Sequence, residues 1–365
     1  MSETRNDGKR SRRKKNRKVD FENVPEEIIF LILVNIPAHV LYGLRPVCKL
    51  WTKLISEPSF IDQHLSRSES ALLGQYRDPT KEWYILSTAC LEKKGEKFRV
   101  RDLSIDLPYR FRICASCNGL ILLDDIHHQS GDLFVGNPIT KECVKIPAND
   151  RLSNSSYSFR YGFTFHPVTR DYKVLIFHMN KDFRMCEILT LGSATWRHVT
   201  VLEEFYPRTN EHISTKGFLH YLTNSLEEDK DYMCSIDTAD ETFHRTPLPV
   251  CGRQDRLLEC GGFLAFATRV DSTAQFDIWV LKDFCGGGWV KQHTVVLEGV
   301  KFARKRSLSV IYPVGSLKDG KIIVFTDTIS FYAADVELKI VKRIWKLRFA
   351  KLLPHVNSLV SCKIF

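Results

Sequence analysis

Between residues 83 and 365 the chain is written in short apolar or alternating runs separated by turn residues. This punctuation limits the fold more than any other feature. Trp83–Ala89, Gly119–Asp125, Asp132–Gly136, Tyr172–Met179, Gly217–Thr223, Gly262–Thr268, Phe276–Lys282, Lys321–Asp327 and Ile329–Ala334 have strand length, and helical periodicity is absent apart from a turn or two. Such a pattern points to an all-β sandwich, barrel or propeller. A glycine followed by an apolar strand recurs at Gly119, Gly162, Gly217, Gly262 and Gly320, with gaps of 43, 55, 45 and 58 residues. A four-stranded propeller blade takes roughly 40 to 50 residues, so two gaps fit and two need loop insertions. Turn chemistry ends a strand at Asn137-Pro138, His166-Pro167 and Asp237-Thr238, and a further strand begins near Trp196, Phe243 or Trp289. The expectation is a divergent β-propeller of about six blades over residues 83–365. Five units are explicit, and the sixth is shared between residues 83–113 and the C-terminal run near Asn357–Ile364. A two-sheet sandwich with coincidental glycine spacing is the alternative.

Residues 21–66 have a different character. Pro25 suits a first helical position, Glu26 and Glu27 suit the first turn, and Pro37 stops the helix near Asn35. A second helix is predicted over Ala38–Leu44, and a third restarts at Pro46 and ends by Pro58. In the third, Val47, Leu50, Trp51, Leu54 and Ile55 form one apolar face. The first helix carries two stripes: Ile28, Leu31, Ile32 and Ile36, and beside it Ile29, Leu33 and Ile36. A module of about 45 residues buries too little surface to cover both. Either a partner or the chain's own β-domain must cover the second stripe.

Residues 1–20 form a basic tail expected to be disordered. Lys9, Arg10, Arg12, Arg13, Lys14, Lys15, Arg17 and Lys18 lie within ten positions without one apolar residue. The first 19 residues contribute +7 of the net charge of +10, leaving +3 for the rest. Three readings stand for the tail: a nuclear-import signal, a solvating arm, or a phosphate-binding arm. A nucleic-acid-binding domain carries its charge on the folded surface, so nucleic acid is not the partner the charge distribution points to. No apolar run reaches membrane-spanning length and no secretory signal precedes the helices. The expected location is the nucleus and/or the cytoplasm, with most of the eleven cysteines as free thiols. Cys114 and Cys117 make a C-x-x-C without the second pair that a zinc site needs, and they read as structural thiols. His127-His128 beside Asp124 and Asp125 reads as a solvated loop. No phosphate loop, nucleophile elbow or H-E-x-x-H is present. Neither a metal nor a cofactor is expected. An enzyme alternative, a glycoside hydrolase with facing carboxylates in a propeller channel, stays open.

The helical residues resemble an F-box. Val24-Pro25-Glu26-Glu27-Ile28-Ile29, Ile32-Leu33, Ile36-Pro37-Ala38, Leu41, Arg45-Pro46-Val47-Cys48-Lys49-Leu50-Trp51, Leu54-Ile55 and Pro58-Ser59-Phe60 follow the family's order and spacing. The pattern departs at His39 and at Gly43, the latter a weak helix former. Ser116-Cys117-Asn118-Gly119-Leu120, Gly136-Asn137-Pro138-Ile139-Thr140-Lys141, Tyr161-Gly162-Phe163 with Asp171-Tyr172-Lys173-Val174, and Leu191-Gly192 followed by Trp196-Arg197 resemble the F-box-associated domain of plant F-box proteins, third subtype. The resemblance implies a non-catalytic adaptor of an SCF-type (Skp1–cullin–F-box) ubiquitin ligase. It implies a Skp1-like linker and, through it, a cullin as partners, with an unknown protein substrate on the β-domain. It assigns the F-box surface to Val24, Pro25, Ile28, Ile29, Ile32, Leu33, Ile36, Pro37, Leu41, Leu44, Val47, Cys48 and Trp51. An F-box propeller acting outside a ligase is the alternative.

Overall fold

The computed structural model describes residues 24–77, 84–94, 97–109, 111–125, 131–153, 158–179, 184–202, 205, 207–209, 211–223, 231–250, 252–269, 275–282, 288–297, 311–327, 330–346 and 351–364. The basic tail and the His127-His128 pair lie outside them. Four helices come first: α1 (Glu26–Leu33), α2 (Ala38–Leu44), α3 (Lys49–Ser56) and α4 (Pro58–Arg67). Three were expected. Pro46 sits in a short 3-10 turn, Arg45–Val47, and the third helix starts only at Lys49, after the extended Cys48. The fourth starts at Pro58, a residue read from sequence as a stop. Proline at the first helical position starts a helix as readily as it ends one.

Apart from short 3-10 turns, the regular structure that follows among the described residues is strand, in six four-stranded antiparallel sheets. The second blade is β4 (Arg112–Cys117), β5 (Leu120–Asp124), β6 (Leu133–Asn137) and β7 (Glu142–Lys145). The third is β8 (Ser158–His166), β9 (Asp171–Met179), β10 (Arg184–Thr190) and β11 (Arg197–Val199). The fourth is β12 (Ile213–Thr215), β13 (Phe218–Leu222), β14 (Tyr232–Asp237) and β15 (Phe243–Pro247). The fifth is β16 (Arg253–Cys260), β17 (Phe263–Arg269), β18 (Gln275–Leu281) and β19 (Trp289–Val296). The sixth is β20 (Tyr312–Leu317), β21 (Ile322–Thr326), β22 (Ser330–Asp335) and β23 (Ile340–Lys346). The first blade joins the two ends of the chain: β1 (Ser70–Arg77), β2 (Tyr84–Lys94) and β3 (Lys97–Tyr109) are completed by β24 (Lys351–Val356).

The innermost strands touch in a closed circuit. β24 abuts β4, β4 abuts β8, β8 meets β12 and β13, these meet β16, and β20 leads back to β24. The fold is a six-bladed β-propeller. Two expected boundaries move. The domain begins at Ser70 rather than 83, because β1 is needed to receive β24, with Ser70 opposite Val356 and Gln75 opposite Lys351. The closing strand is Lys351–Val356, not 357–364. That last segment leaves the ring and ends in a short 3-10 turn, Cys362–Ile364.

The glycine repeat has a definite origin. Asn118-Gly119, Lys216-Gly217 and Gly261-Gly262 connect the first and second strands of their blades with both residues at positive φ, and in the sixth blade Asp319-Gly320 do so inside the four-residue turn Lys318–Lys321, where Lys318 is positive too. A two-residue hairpin turn that matches strand twist needs φ > 0 at both central positions. Gly162 is out of phase. It lies within β8, where a Cβ would come within 2.7 Å of Leu219 and 2.8 Å of Tyr221 from the next blade. The equivalent turn of the third blade is longer and uses Arg170 at φ 59.

Blades are stapled by residues that the sequence placed in motifs. Trp196 Nε1 donates to the Pro147 carbonyl at 3.0 Å, and Trp289 Nε1 donates to the Pro247 carbonyl at 2.9 Å. In both cases an outer strand reaches the preceding blade. Apolar clusters fill the spaces between blades, for example Leu122, Val135, Phe163, Val174 and Leu189 between the second and third.

The segment after β24 ties the helices to the ring. Asn137 is fully buried. Its Nδ2 donates to the carbonyls of Ser358 (3.1 Å) and Val360 (2.7 Å), while its Oδ1 accepts from the amides of Ile139 (2.8 Å) and Thr140 (3.4 Å). Ser358 Oγ donates to the Asn118 carbonyl at 2.7 Å. Leu359 and Ile139 then complete the core of the helical module, while Ile61 and Leu65 of α4 pack on the cluster between the second and third blades. Tyr42 donates to the Thr140 carbonyl at 3.0 Å, and Arg170 pairs with Asp62 at 2.8 Å.

Asn137→Ala should therefore lower stability by about 2 kcal/mol or more, since four backbone groups lose a buried partner. Deleting residues 357–365 should raise hydrogen exchange throughout α1–α4 yet leave β24 paired with β1. Equal protection of the helices in the deleted and full chains would refute the tie. A second expectation concerns acid. Burial pushes His220 down to about 3 and His355 down to about 4, from a free value of 6.5. The unfolded chain then binds protons that the folded chain refuses. The stability these neutral rings contribute is present above pH 6.5 and drains as the pH falls towards 4. Urea midpoints measured from pH 7 to pH 4 should decline across that window.

Candidate functional site

The helical module sorts its apolar residues into two sets. Leu33 and Leu41 are fully buried, and Ile29, Val34, Ala38, Leu54, Ile55 and Phe60 join them in one cluster. Phe30 meets Phe60 edge-on at 5.0 Å. His64 is buried and bonded through Nε2 to the Ile36 carbonyl at 2.8 Å. This is the core of the helical module. Ile29, Leu33 and Leu41, which the resemblance assigns to the F-box surface, are buried in it. Trp51 lies half-buried at the edge of the cluster. Val24, Ile36 and Leu44 are also half-buried.

The other set faces outward. Ile28 is 46% exposed, Leu31 49% and Ile32 57%, and their spacing of three and four residues puts them on one strip of α1. Val40 and Val47 are 43% and 59% exposed. Pro25, Pro37 and Cys48 are exposed too. Of the eleven large hydrophobic side chains exposed among the described residues, these five fall between positions 28 and 47. Single exposed hydrophobics need no explanation, but a concentration of this kind marks an interaction surface. The two stripes expected on the first helix are thus both present. The one with Ile29 and Leu33 packs within the module, and the one with Ile28, Leu31 and Ile32 is left open.

Strand directions decide where the rest of the molecule can act. The tail after β24, the Asn118-Gly119 turn, the Asn137–Lys141 turn and Arg170 all lie at the same ends of their strands, and the helices dock there. In an antiparallel blade the connections between second and third strands, and those between blades, must leave from the opposite ends. The longest connections are of this second kind: Asp124 to Leu133, Val199 to Ile213, Leu222 to Tyr232 and Val296 to Tyr312. Tight hairpins therefore face the helices, and long connections depart from the far face.

A cavity of about 540 Å3 runs along the axis between the inner strands. At its far rim Arg256 Nε pairs with Glu211 at 2.7 Å, and the guanidinium lies 4.8 Å over the Tyr312 ring. Lys351 Nζ donates to the Cys114 carbonyl at 2.7 Å. Deeper in, Ser116 Oγ and His355 Nδ1 lie 2.7 Å apart. Burial pushes the thiols of Cys114 and Cys117 up to about 12, so both are neutral and unreactive at ordinary pH. Among the described residues no cluster of three His, Cys, Asp or Glu is placed to hold a metal. Glu211 and Glu259 both line the cavity, and both are engaged. Glu211 is ion-paired, and Glu259 accepts from the Gly262 amide at 2.5 Å in the hairpin on the helical side.

Comparison with known proteins gives a consistent picture. The F-box associated beta propeller domain matches residues 73–344. The Arabidopsis thaliana F-box protein At3g07870 is 27% identical over 310 residues, spanning 75% of this chain and 73% of that protein. The Arabidopsis F-box protein At5g49610 is 26% identical over 304 residues, spanning 76% and 80%. Among solved structures, the nidogen/laminin complex is 15% identical with a TM-score of 0.47, over 79% of this chain and 99% of that chain. With its propeller closed through both chain ends and a family match over most of its length, the chain belongs to the plant F-box associated β-propeller family.

Proposed function

We propose that the chain is the substrate-recognition adaptor of an SCF-type ubiquitin ligase, without chemistry of its own. The observation that carries this reading is the open apolar strip Ile28–Leu31–Ile32 on helices fastened to one face of a propeller. The strip, with Val40, Val47 and Cys48, is offered to a Skp1-like linker and through it to a cullin. The far face, with its long connections, is offered to the protein to be ubiquitylated, since loops on a rigid scaffold are the usual binding surface. The relatives' description as F-box proteins supports the same reading.

Packing of α4 and the C-terminal segment against the blades adds a mechanical point. The two surfaces sit on opposite faces of one cooperatively packed body. A bound substrate is then held at a fixed distance from the linker, which brings it within reach of the ubiquitin-charged enzyme by positioning alone. It follows that a fragment beginning at residue 66 would expose Leu359 and Ile139 and would fold less well than the full chain.

The test is co-purification with a Skp1-type linker. Burial of an isoleucine at an interface is worth about 1.5–3 kcal/mol, so Ile28→Lys with Ile32→Lys should weaken binding by about two orders of magnitude or more. Thermal stability should be nearly unchanged, because both side chains are exposed in the free protein. Leu33→Ala should do the reverse in the first instance. It should cost about 2–5 kcal/mol of stability and weaken binding only as the module loosens. Undiminished linker binding by the double lysine variant would remove the basis of the proposal. For the basic tail we propose nuclear import. Deleting residues 1–19 should shift a fluorescently tagged chain towards the cytoplasm without altering linker binding, and an unchanged distribution would count against import.

A further inference from the structure

The axial cavity is lined unlike a plain structural core. Its far rim carries two cations, and they are unequally neutralised. Arg256 has Glu211 as a partner at 2.7 Å and is stacked on Tyr312. Lys351 has only the Cys114 carbonyl, at 2.7 Å, and among the described residues it forms no ion pair. Burial pushes its ammonium below the usual lysine value. Glu211 favours the Lys351 charge only at longer range, so one carboxylate serves two cations, and an anion in the cavity would offset the remaining cost of the desolvated ammonium.

A second observation points the same way. His355 is 97% buried, with 3% of its surface exposed, and it lines the same cavity. Its Nδ1 is 2.7 Å from Ser116 Oγ, while its Nε2 has no hydrogen-bond partner among the described residues. Buried polar atoms in native proteins are almost always partnered. Burial holds the ring neutral, near 4. With Ser116 donating to Nδ1, the neutral ring carries its proton on Nε2 and offers a donor to a ligand. The volume, about 540 Å3, lies within the range of roughly 300–1,000 Å3 typical of small-ligand sites.

We infer that the axial cavity is a binding site for a carboxylate group, with Lys351 as its main cation, Arg256 as a second cation in competition with Glu211, and His355 as a donor at its floor. The carboxylate comes either from an acidic side chain of a recruited protein or from a small organic acid. The site stands on the geometry of the cavity. Only its assignment to a recruited protein rests on the adaptor reading.

The experiment is calorimetric titration of the full chain with three probes: acetyl-Glu-Glu-amide, its uncharged counterpart acetyl-Gln-Gln-amide, and citrate. At least one carboxylate probe should bind and the Gln dipeptide should not. Lys351→Met should weaken that binding about tenfold or more, the usual loss for a charge-assisted hydrogen bond. Glu211→Gln should strengthen it, because Arg256 is then released to the ligand. A gain of affinity cannot arise from a misfolded variant. Binding of the dipeptide assigns the site to protein substrates, and binding of citrate alone assigns it to a small acid. The inference is overturned if neither carboxylate probe binds, if Lys351→Met binds as well as the unaltered chain, or if Glu211→Gln brings no gain. Linker co-purification is a separate readout, so the adaptor reading and this inference can fail independently.

Discussion

Hydrogen bonding between the two ends of the chain governs the molecule. β24 pairs with β1 from Ser70–Val356 to Gln75–Lys351, and that ladder turns an open series of sheets into a ring. Without it, the first blade would lose its inner strand, and β4 and β20 would lose the neighbour they share. Unpaired inner strands expose backbone groups that must otherwise find partners in water or in another chain. Closure by β24 with β1, β2 and β3 also fixes where the segment after β24 leaves the ring. Because β24 runs towards the face of tight hairpins, residues 357–364 emerge on that face and nowhere else.

That exit point explains why two modules of different composition form one body. The emerging segment is received by Asn137, whose side chain satisfies two of its carbonyls, and by the Asn118 turn. Leu359 then enters the helical core beside Phe60 and Leu33. The helices thus borrow core residues from the propeller, as a module of their size must. Their remaining apolar strip, Ile28–Leu31–Ile32, stays outside. It cannot be covered by the propeller, because the propeller already covers a different side through α4.

The opposite face is freed by the same arrangement. Tight turns with positive φ join the strands on the helical side, and the long connections leave from the opposite strand ends. The rim of the axial cavity belongs to that far side: Lys351 opens β24, Glu211 just precedes β12, and Arg256 lies in the first half of β16. A protein held at that rim is separated from the helical strip by the full height of the propeller. The separation is fixed by packed side chains rather than by a linker.

The sequence by itself determined the class of each element. Alternation and turn chemistry specified strands, and the recurring glycines marked hairpins whose φ only glycine adopts easily, at Gly119, Gly217, Gly262 and Gly320. Apolar spacing specified helices and showed that α1 carried more hydrophobic surface than it could bury. Tertiary structure alone decided which stripe was buried, because Ile28 and Ile29 are chemically alike and only packing against Phe60, Leu54 and Ile139 separates them. It alone moved the closing strand to Lys351–Val356 and recruited Ser70–Arg77, since pairing over almost 300 residues of chain leaves no local signal. It alone showed that Gly162 answers to the next blade's Leu219 and Tyr221, a contact made across sequence distance. The axial site was illegible for the same reason. Lys351 and His355 lie on β24, Arg256 on β16, Ser116 on β4 and Glu211 just before β12; they form no motif, and the four segments become neighbours only when the ring closes.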